Sequence, residues 1–410
     1  TVMGGALWFY YYVSRHASTV EIKWVMLATV AATIIISIHW VYESYAKTIL
    51  GEISWYQLNA FEYIKKRNGI SADQVNTSLL GTQYRAYGLL DKHTTTGAFI
   101  VIGAFSALWL MYQAKLQQRI LLFLLFFSIL FVGMSTTAFL GYMLLFPVGL
   151  LITNKQLSVV GSVRLLIGYF LIFLVTVYLV ALLFDGLSML LESRLSLLKT
   201  QFMILLNFSG DSINGDSING DSINGDSINV DGGVIHTSYP LILGNESIGY
   251  VKYIIDHPGV AVFGEGFGAH HSYGYPRGGD VAFYEILATF GVPFTFFFLA
   301  AVCFLIVKTV MKLFHQQRGK DFNANCIYAV FVAVFIMLTL VHYNTMFRKE
   351  ILPYFMLALG LMSRSYISAG NGYPAARTVL QGGHIPTQRE HGTLANILRA
   401  RRTLGWQTND

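Results

Sequence analysis

Two polar stretches of the sequence carry side chains that could bind phosphate. The first holds Arg85, Lys92 and His93 just ahead of an apolar segment, and the second ends in Arg277 and Asp280 ahead of another. A guanidinium group matches phosphate oxygens with a planar fork of donors and neutralises charge that builds up on a leaving group. Two such basic stretches on one face of a membrane could together hold a pyrophosphate, which suits a lipid pyrophosphate donor.

The elements that must position these side chains are membrane helices. Of the 410 residues, 54% are hydrophobic and only 12% are charged, and the apolar residues come in long blocks, unlike those of a soluble domain. About 20 apolar residues cross hydrocarbon as a helix, because every backbone amide must be paired within the segment. The fold class is therefore predicted as an all-α, polytopic integral membrane protein. About nine crossings are expected, near residues 1–13, 23–42, 97–113, 120–135, 136–153, 164–184, 288–308, 326–342 and 351–366.

The apolar stretch from Ile120 to Thr153 is too long for one helix. Ser135, Thr136 and Thr137 lie at its middle, which predicts a tight helical hairpin there. If this stretch crossed the membrane only once, the large loop at residues 185–285 would lie on the opposite face from the loop at residues 43–96. The first apolar segment is short, so further helices could precede Thr1 in the protein. No cleavable signal peptide is recognisable in the sequence.

Lysine and arginine in the short loops set the expected orientation. They fall on one face, which should be cytoplasmic: Arg15, Lys23, Lys115, Arg119, Lys155, Arg164, Lys308, Lys312, Arg318 and Lys320. The opposite face receives two large loops, residues 43–96 and 185–285, and a short turn whose Arg348 and Lys349 run against the rule. Residues 1–366 form the predicted membrane domain, and residues 367–410 a polar, basic cytoplasmic tail.

Several function classes have little support in the sequence. It contains no GxxxxGK, GxSxG or HExxH motif, and the GxGxG run at Gly264 follows no strand of a soluble α/β unit. Cys303 and Cys326 fall in or beside predicted helices and support neither a disulfide nor a metal site. Few charges lie within the predicted helices, which argues against an ion-coupled transporter. Residues 210–229 repeat GDSIN four times and are interpreted as a flexible spacer.

Four pieces of sequence occur in a characteristic order. An arginine is followed by glycines before a helix (Arg85, Gly88, Gly97), and the hairpin at residues 135–138 is rich in Ser and Thr. The segment HPGVAVFGEGFG contains a Pro and then a Gly-x-Gly loop, and a later helix reaches Gly291 eleven residues after Asp280. In this order, with these loop sizes, residues 70–310 resemble the O-antigen polymerase and O-antigen ligase superfamily.

Two departures from the family pattern affect the assignment. Ligases of the superfamily typically carry a His followed by Asn, Ser or Gln eleven residues before that glycine, whereas this chain has Asp280 and Val281. The difference favours a polymerase. The family also tends to place an Arg on the helix before the Pro-Gly loop, where this chain has none. Lys252, Arg194 and Arg277 are the candidates to replace it.

The resemblance implies an inverting transfer that needs neither metal nor cofactor. A base removes a proton from an acceptor sugar hydroxyl while a polyprenyl pyrophosphate leaves the anomeric carbon. Asp280 is the candidate base, although an Asp at this position is also an ordinary helix N-cap, and Glu265 and Glu285 are reserves. Arg85 would bind pyrophosphate or else form a loop salt bridge to Asp91 or Glu62. The catalytic candidates are thus Asp280, Arg85 and Arg277, and the substrate-binding candidates are His93, Lys92, Glu265, His270, His271, Lys252 and Arg194.

The resemblance also implies a place and partners. The large loops would lie in the periplasm, at the inner membrane of a bacterium. The partners would be a polyprenyl-pyrophosphate-linked glycan donor and acceptor, membrane lipid, a chain-length regulator and a flippase, with no nucleic acid. The function expected is polymerisation of oligosaccharide repeat units. A ligase that transfers finished glycan to lipid A core or protein is the alternative, and a lipid-linked sugar flippase is a third reading.

Overall fold

The structure is a computed structural model dominated by helices. It describes residues 2–50, 88–90, 93–133, 135–153, 159–183, 186–192, 194–196, 228–230, 233–235, 249–266, 282–315, 320–340, 346 and 348–370. The helices are α1 Val2–Arg15, α2 Thr19–Tyr45, α3 His93–Leu110, α4 Leu116–Gly133, α5 Thr136–Thr153, α6 Val159–Leu183, α7 Pro258–Phe263, α8 Ala282–Phe290, α9 Val292–His315, α10 Lys320–Thr339 and α11 Leu352–Gly370. A π-helical turn, Ala46–Leu50, extends α2, and residues 186–192, 194–196 and 249–256 are also helical.

Each of the nine predicted crossings overlaps helical structure in the described residues. Six helices are long and apolar enough to cross a membrane: α2, α3, α4, α6, α9 and α10. The chain is therefore a polytopic, membrane-embedded helical protein. Helices α1, α5 and α11 are present, but their crossing of the membrane, and with it the count of nine, stays a prediction. The break between α4 and α5 falls at the predicted hairpin.

Three predicted boundaries are wrong. The predicted crossing at 288–308 is divided by Gly291, which has a φ of 78° and separates α8 from α9. The helix predicted to end at Pro258 ends at Asp256, and Pro258 instead opens α7, where a missing backbone N–H has no consequence. The loop assigned to residues 43–96 is shorter, because helical structure continues to Leu50 and resumes at His93.

A short antiparallel hairpin is the exception to helical structure among the described residues. Strands β1 Ile228–Val230 and β2 Gly233–Ile235 pair with Val230 opposite Gly233. The connecting sequence is Asp231-Gly232, a dipeptide typical of two-residue hairpin turns. Strand β1 contains the last two residues of the fourth GDSIN repeat, so the predicted spacer ends in β structure.

Helices α2 and α3 pack closely at the centre of the bundle. Residues 94–108 of α3 are buried throughout, whereas few residues in the apolar spans of α6 and α9 are buried, as expected of surfaces that face lipid. Close approach depends on glycine: a Cβ added to Gly103 would lie 2.5 Å from Thr33 Cγ2, and one added to Gly133 would lie 2.5 Å from the Trp40 ring. Small residues at helix contacts are the usual device for close packing in membranes.

The two ends of the bundle are held by different contacts. At one end, Lys312 Nζ donates to Ser365 O at 2.8 Å, and Arg364 donates to Ala17 O. This end is called the Lys312 end. The other is the Glu43 end, where α2 stops and α3 starts. By its internal contacts the chain divides into Thr1–Tyr366 and Ile367–Asp410, and the second unit is described only to Gly370. The cytoplasmic tail therefore stays a prediction.

Candidate functional site

A buried carboxylate marks the Glu43 end of the bundle. Glu43 lies near the end of α2, and its side chain is 0% exposed. Its Oε2 accepts a hydrogen bond from the backbone N–H of Gly88 at 2.7 Å and lies 3.8 Å from His39 Nδ1. A carboxylate is rarely buried without partners, because desolvation strongly disfavours its charged form. Glu43 therefore ties the segment that follows Arg85 to helix α2.

Gly88 has a conformation and a position that require glycine. Its φ is 74°, and a Cβ on it would lie 2.6 Å from Thr96 Cγ2 in the first turn of α3. The backbone of Gly88 is thus fixed between the Glu43 carboxylate and the Thr96 side chain. His93, one of the predicted substrate-binding residues, opens α3 a few residues later and is partly buried.

The hairpin between α4 and α5 packs against the start of α3, next to Gly88. A Cβ on Gly97 would lie 2.5 Å from Ser135 Cβ and 2.8 Å from Ala138 Cβ, so α3 and the start of α5 are in close contact. Ser135 is 1% exposed, and its hydroxyl has no hydrogen-bond partner among the described residues. The same is true of the buried Ser44 hydroxyl beside Glu43. Both hydroxyls retain the capacity to bind a polar group.

A second structure at this end joins the Pro-Gly loop to helix α8. The backbone N–H of Glu265 donates to Ala288 O at 2.8 Å, and that of Gly266 donates to Thr289 O at 2.9 Å. Because α8 is interrupted at Gly291, the loop can reach carbonyl groups at the end of the helix. This contact, centred on Gly264 and Gly291, is called the glycine crossing.

A small aromatic core supports the glycine crossing. Tyr250 packs with Leu287 and Ala288, and its ring lies 5.6 Å from that of Tyr284. Burial raises the pKa of the Tyr250 hydroxyl, which therefore stays neutral. Ile286 faces the other way into the main core, where Thr295 Oγ1 donates to its carbonyl oxygen at 3.4 Å. Helix α8 therefore joins the loop segment to the membrane helices.

Aromatic contacts place the Glu43–Gly88 contact and the glycine crossing at the same end of the bundle. Phe99, in the second turn of α3, has its ring 5.5 Å from that of Tyr354 in the first turn of α11. Phe355, the next residue, lies 6.3 Å from Phe298 in the second turn of α9. The starts of α3, α9 and α11 are thus at one level. The glycine crossing, which directly precedes α9, lies at the Glu43 end.

Four of the predicted site residues can be placed in this arrangement. His93 opens α3, and Glu265 lies within the glycine crossing. Arg194 is 2% exposed and lies in the short helical stretch of residues 194–196. The preceding helical stretch, residues 186–192, starts at the Glu43 end, because a Cβ on Gly186 would lie 3.5 Å from Ile49 Cγ2. Lys252 is exposed on the helix before Pro258. Arg85, Lys92, His270, His271, Arg277 and Asp280 lie outside the described residues.

Glu43 is the functional candidate that sequence reasoning missed. The predicted crossing stopped at Tyr42, which placed Glu43 in a loop and outside the bundle. In the structure, buried positions recur along α2 at helical spacing and continue through Trp40 to Glu43 and Ser44, so the inward face of the helix extends past Tyr42. A carboxylate on the inward face of a membrane helix is a candidate for a functional role.

No family model, no curated protein and no solved structure matches this chain. The family resemblance therefore rests on the residues quoted above, and the function that it implies is a proposal.

Proposed function

We propose that this chain is an inner-membrane glycosyltransferase that polymerises oligosaccharide repeat units carried on polyprenyl pyrophosphate, on the periplasmic side. The observation that carries the proposal is that the four sequence segments quoted for the family resemblance contact one another in pairs. Gly97 contacts the Ser135 hairpin, and the Pro-Gly loop contacts the helix that reaches Gly291. Both pairs lie at one end of the bundle, although each piece was selected from the sequence separately.

The contacts suggest how this end would handle a lipid-linked substrate. Glu43 and Thr96 fix the backbone of Gly88, which is three residues after Arg85 in the sequence, beside the start of α3. A site at the end of apolar helices is within reach of a pyrophosphate whose polyprenyl chain stays in the bilayer. Buried hydroxyls on Ser44 and Ser135 add polar groups at this level.

The proposed reaction forms one glycosidic bond and breaks one bond to phosphate. The acceptor sugar hydroxyl gives its proton to Asp280, and its oxygen bonds to the anomeric carbon of the donor. The anomeric carbon separates from the pyrophosphate oxygen, and Arg85 and Arg277 neutralise the charge on the departing polyprenyl pyrophosphate. The configuration at the anomeric carbon inverts.

The test is a gel of surface glycan from cells that lack the protein, compared with the same cells carrying it on a plasmid. A polymerase predicts that long chains collapse to a single capped repeat and return with the plasmid. Long chains that accumulate on the lipid carrier without reaching their final acceptor would instead identify a ligase. Loss of all periplasmic intermediates would identify a flippase and overturn the proposal.

A further inference from the structure

The segment ahead of the glycine crossing presents an apolar surface that no described residue covers. On the helix of residues 249–256, Val251 and Ile255 are exposed, and Ile255 is 71% exposed. The surface continues along α7, where Val262 is exposed and Phe263 is 83% exposed. Four exposed large apolar side chains within thirteen residues form an apolar patch, which differs from the single exposed apolar residues that are normal on a protein surface.

The helix of residues 249–256 has three distinct sides. At about 100° per residue, Tyr250, Tyr253 and Ile254 share one side, which packs on the small core of α8. Val251 and Ile255 share the next side and are exposed. The charged side chains Lys252 and Asp256 point about another 100° further round and are exposed to solvent. This order is typical of a helix that lies in a membrane interface, with its charges directed to water.

The position of the surface relative to α9 identifies what covers it. A Cβ on Gly291 would lie 2.7 Å from the carbonyl carbon of Val262, so Val262 and Phe263 lie level with the first turn of α9. Helix α9 is one of the membrane-spanning candidates, and Phe294 and Phe297 near its start are exposed. Phe263 therefore lies where the lipid-facing surface of a membrane helix begins.

We propose that the surface of Val251, Ile255, Val262 and Phe263 is a membrane anchor that inserts among the acyl chains of the bilayer beside α9. The anchor holds the Gly264–Gly266 loop at the height of the lipid surface, because Phe263 and Gly264 are adjacent. Its occupant is bilayer lipid, and the inference does not depend on the reaction that the protein performs.

The test measures the depth of single nitroxide labels in the full chain. Cys303→Ser and Cys326→Ala give a cysteine-free background, and Phe263→Cys, Ile255→Cys and Asp256→Cys are introduced singly. The protein is reconstituted into vesicles of phosphatidylethanolamine and phosphatidylglycerol. The labels from Phe263→Cys and Ile255→Cys should collide several-fold more with oxygen than with a water-soluble nickel chelate. The label from Asp256→Cys, one residue from Ile255, should show the reverse preference.

Two results would overturn the anchor. Nickel accessibility from Phe263→Cys equal to that from Asp256→Cys would place the surface in water. Exclusion of both reagents would show that protein covers it. If the cysteine-free background fails to fold, Phe263→Trp in the natural chain replaces the label. Brominated lipids should then quench additional tryptophan fluorescence relative to the unsubstituted protein, and an unchanged quenched fraction would count against the anchor.

Discussion

The backbones of Gly264 and Gly291 are in direct contact across two chain segments. A Cβ on Gly264 would lie 2.6 Å from the backbone N of Gly291, and a Cβ on Gly291 would lie 2.9 Å from the backbone N of Gly264. Both residues have positive φ, at 69° and 78°. Neither position can accept a side chain without moving backbone atoms of the other segment.

Alanine at either glycine should therefore separate the Pro-Gly loop from α8. Gly264→Ala and Gly291→Ala each place a side chain at a positive φ, which costs about 1–3 kcal/mol, and add a clash with backbone that cannot rotate away. We expect a lower midpoint of thermal unfolding in detergent for both variants. Chain extension should be reduced even where the protein still inserts. Differential scanning fluorimetry and the glycan gel measure the two effects.

Two neighbouring glycines provide matched controls for this prediction. Gly266 has a φ of 74°, but a Cβ there would meet nothing within 4 Å, so Gly266→Ala isolates the strain from the clash. Gly259 lies in helix α7 with open space and no positive φ, so Gly259→Ala should leave the midpoint unchanged or raise it slightly. If Gly264→Ala lowers the midpoint of thermal unfolding no more than Gly266→Ala does, the glycine crossing does not depend on close backbone contact.

Replacement of Glu43 should loosen the chain at Gly88. Glu43→Ala leaves the Gly88 N–H without its acceptor in a buried setting, which costs about 1–3 kcal/mol. Glu43→Gln keeps an oxygen that can accept the same hydrogen bond, so its effect should be smaller. The midpoint of thermal unfolding should fall in the order unsubstituted, Gln, Ala, and the length of surface glycan should shorten in the same order.

Glu192 is the control for Glu43, because it is an exposed glutamate in the helical segment of residues 186–192. Glu192→Ala should change neither stability nor glycan length. Equal damage from Glu43→Gln and Glu43→Ala would show that the charge matters rather than the hydrogen bond to Gly88. Normal behaviour of both Glu43 variants would remove Glu43 from the site.

The helical fold could be predicted largely from the sequence because long apolar runs in lipid have few alternatives to a helix. The hairpin at Ser135 followed from the length of the run, and α4 and α5 divide there. The helix end beyond Tyr42 was missed because hydropathy falls where Glu43 and Ser44 enter. Their burial depends on contacts with Gly88 and neighbouring helices, which no local pattern contains.

The candidate site was less predictable because its pieces are far apart in sequence. Glycines at 88, 97, 264 and 291 could be identified as parts of the sequence pattern, but the residues that they contact could not. Gly97 meets Ser135, and Gly264 meets Gly291, only once the helices have packed. The predicted membrane helix at residues 288–308 is divided at Gly291, and this division likewise depends on the loop at Gly264, which supplies hydrogen-bond donors to the end of α8.

Alanine at Gly97 should push α3 away from the Ser135 hairpin. Gly97→Ala places a methyl group 2.5 Å from Ser135 Cβ, and overpacking of this kind costs about 1–3 kcal/mol. We expect a lower midpoint of thermal unfolding. Gly168→Ala on α6 is the control, because that position is open and helical, and alanine there should be neutral or stabilising by up to about 1 kcal/mol.

A second substitution tests whether Ser135 is the residue that Gly97 contacts. Ser135→Gly removes the nearer obstacle, so the double variant with Gly97→Ala should lose less stability than the sum of the two single losses. Ala138 stays close, which makes full recovery unexpected. Additive losses would contradict direct contact between the two positions.

Arg85 gives the sharpest test of the proposed reaction. Arg85→Ala should leave the protein in the membrane at normal amounts but abolish extension of glycan chains, because the leaving pyrophosphate loses a cationic partner. Arg85→Lys keeps the charge without the bidentate fork and should retain only part of the activity. Arg348→Ala is the control, since Arg348 is exposed on the turn before α11, which is predicted on the same face. Normal chain length with Arg85→Ala would remove this arginine from the reaction, whereas shortened chains with Arg348→Ala would indicate a general effect of surface charge.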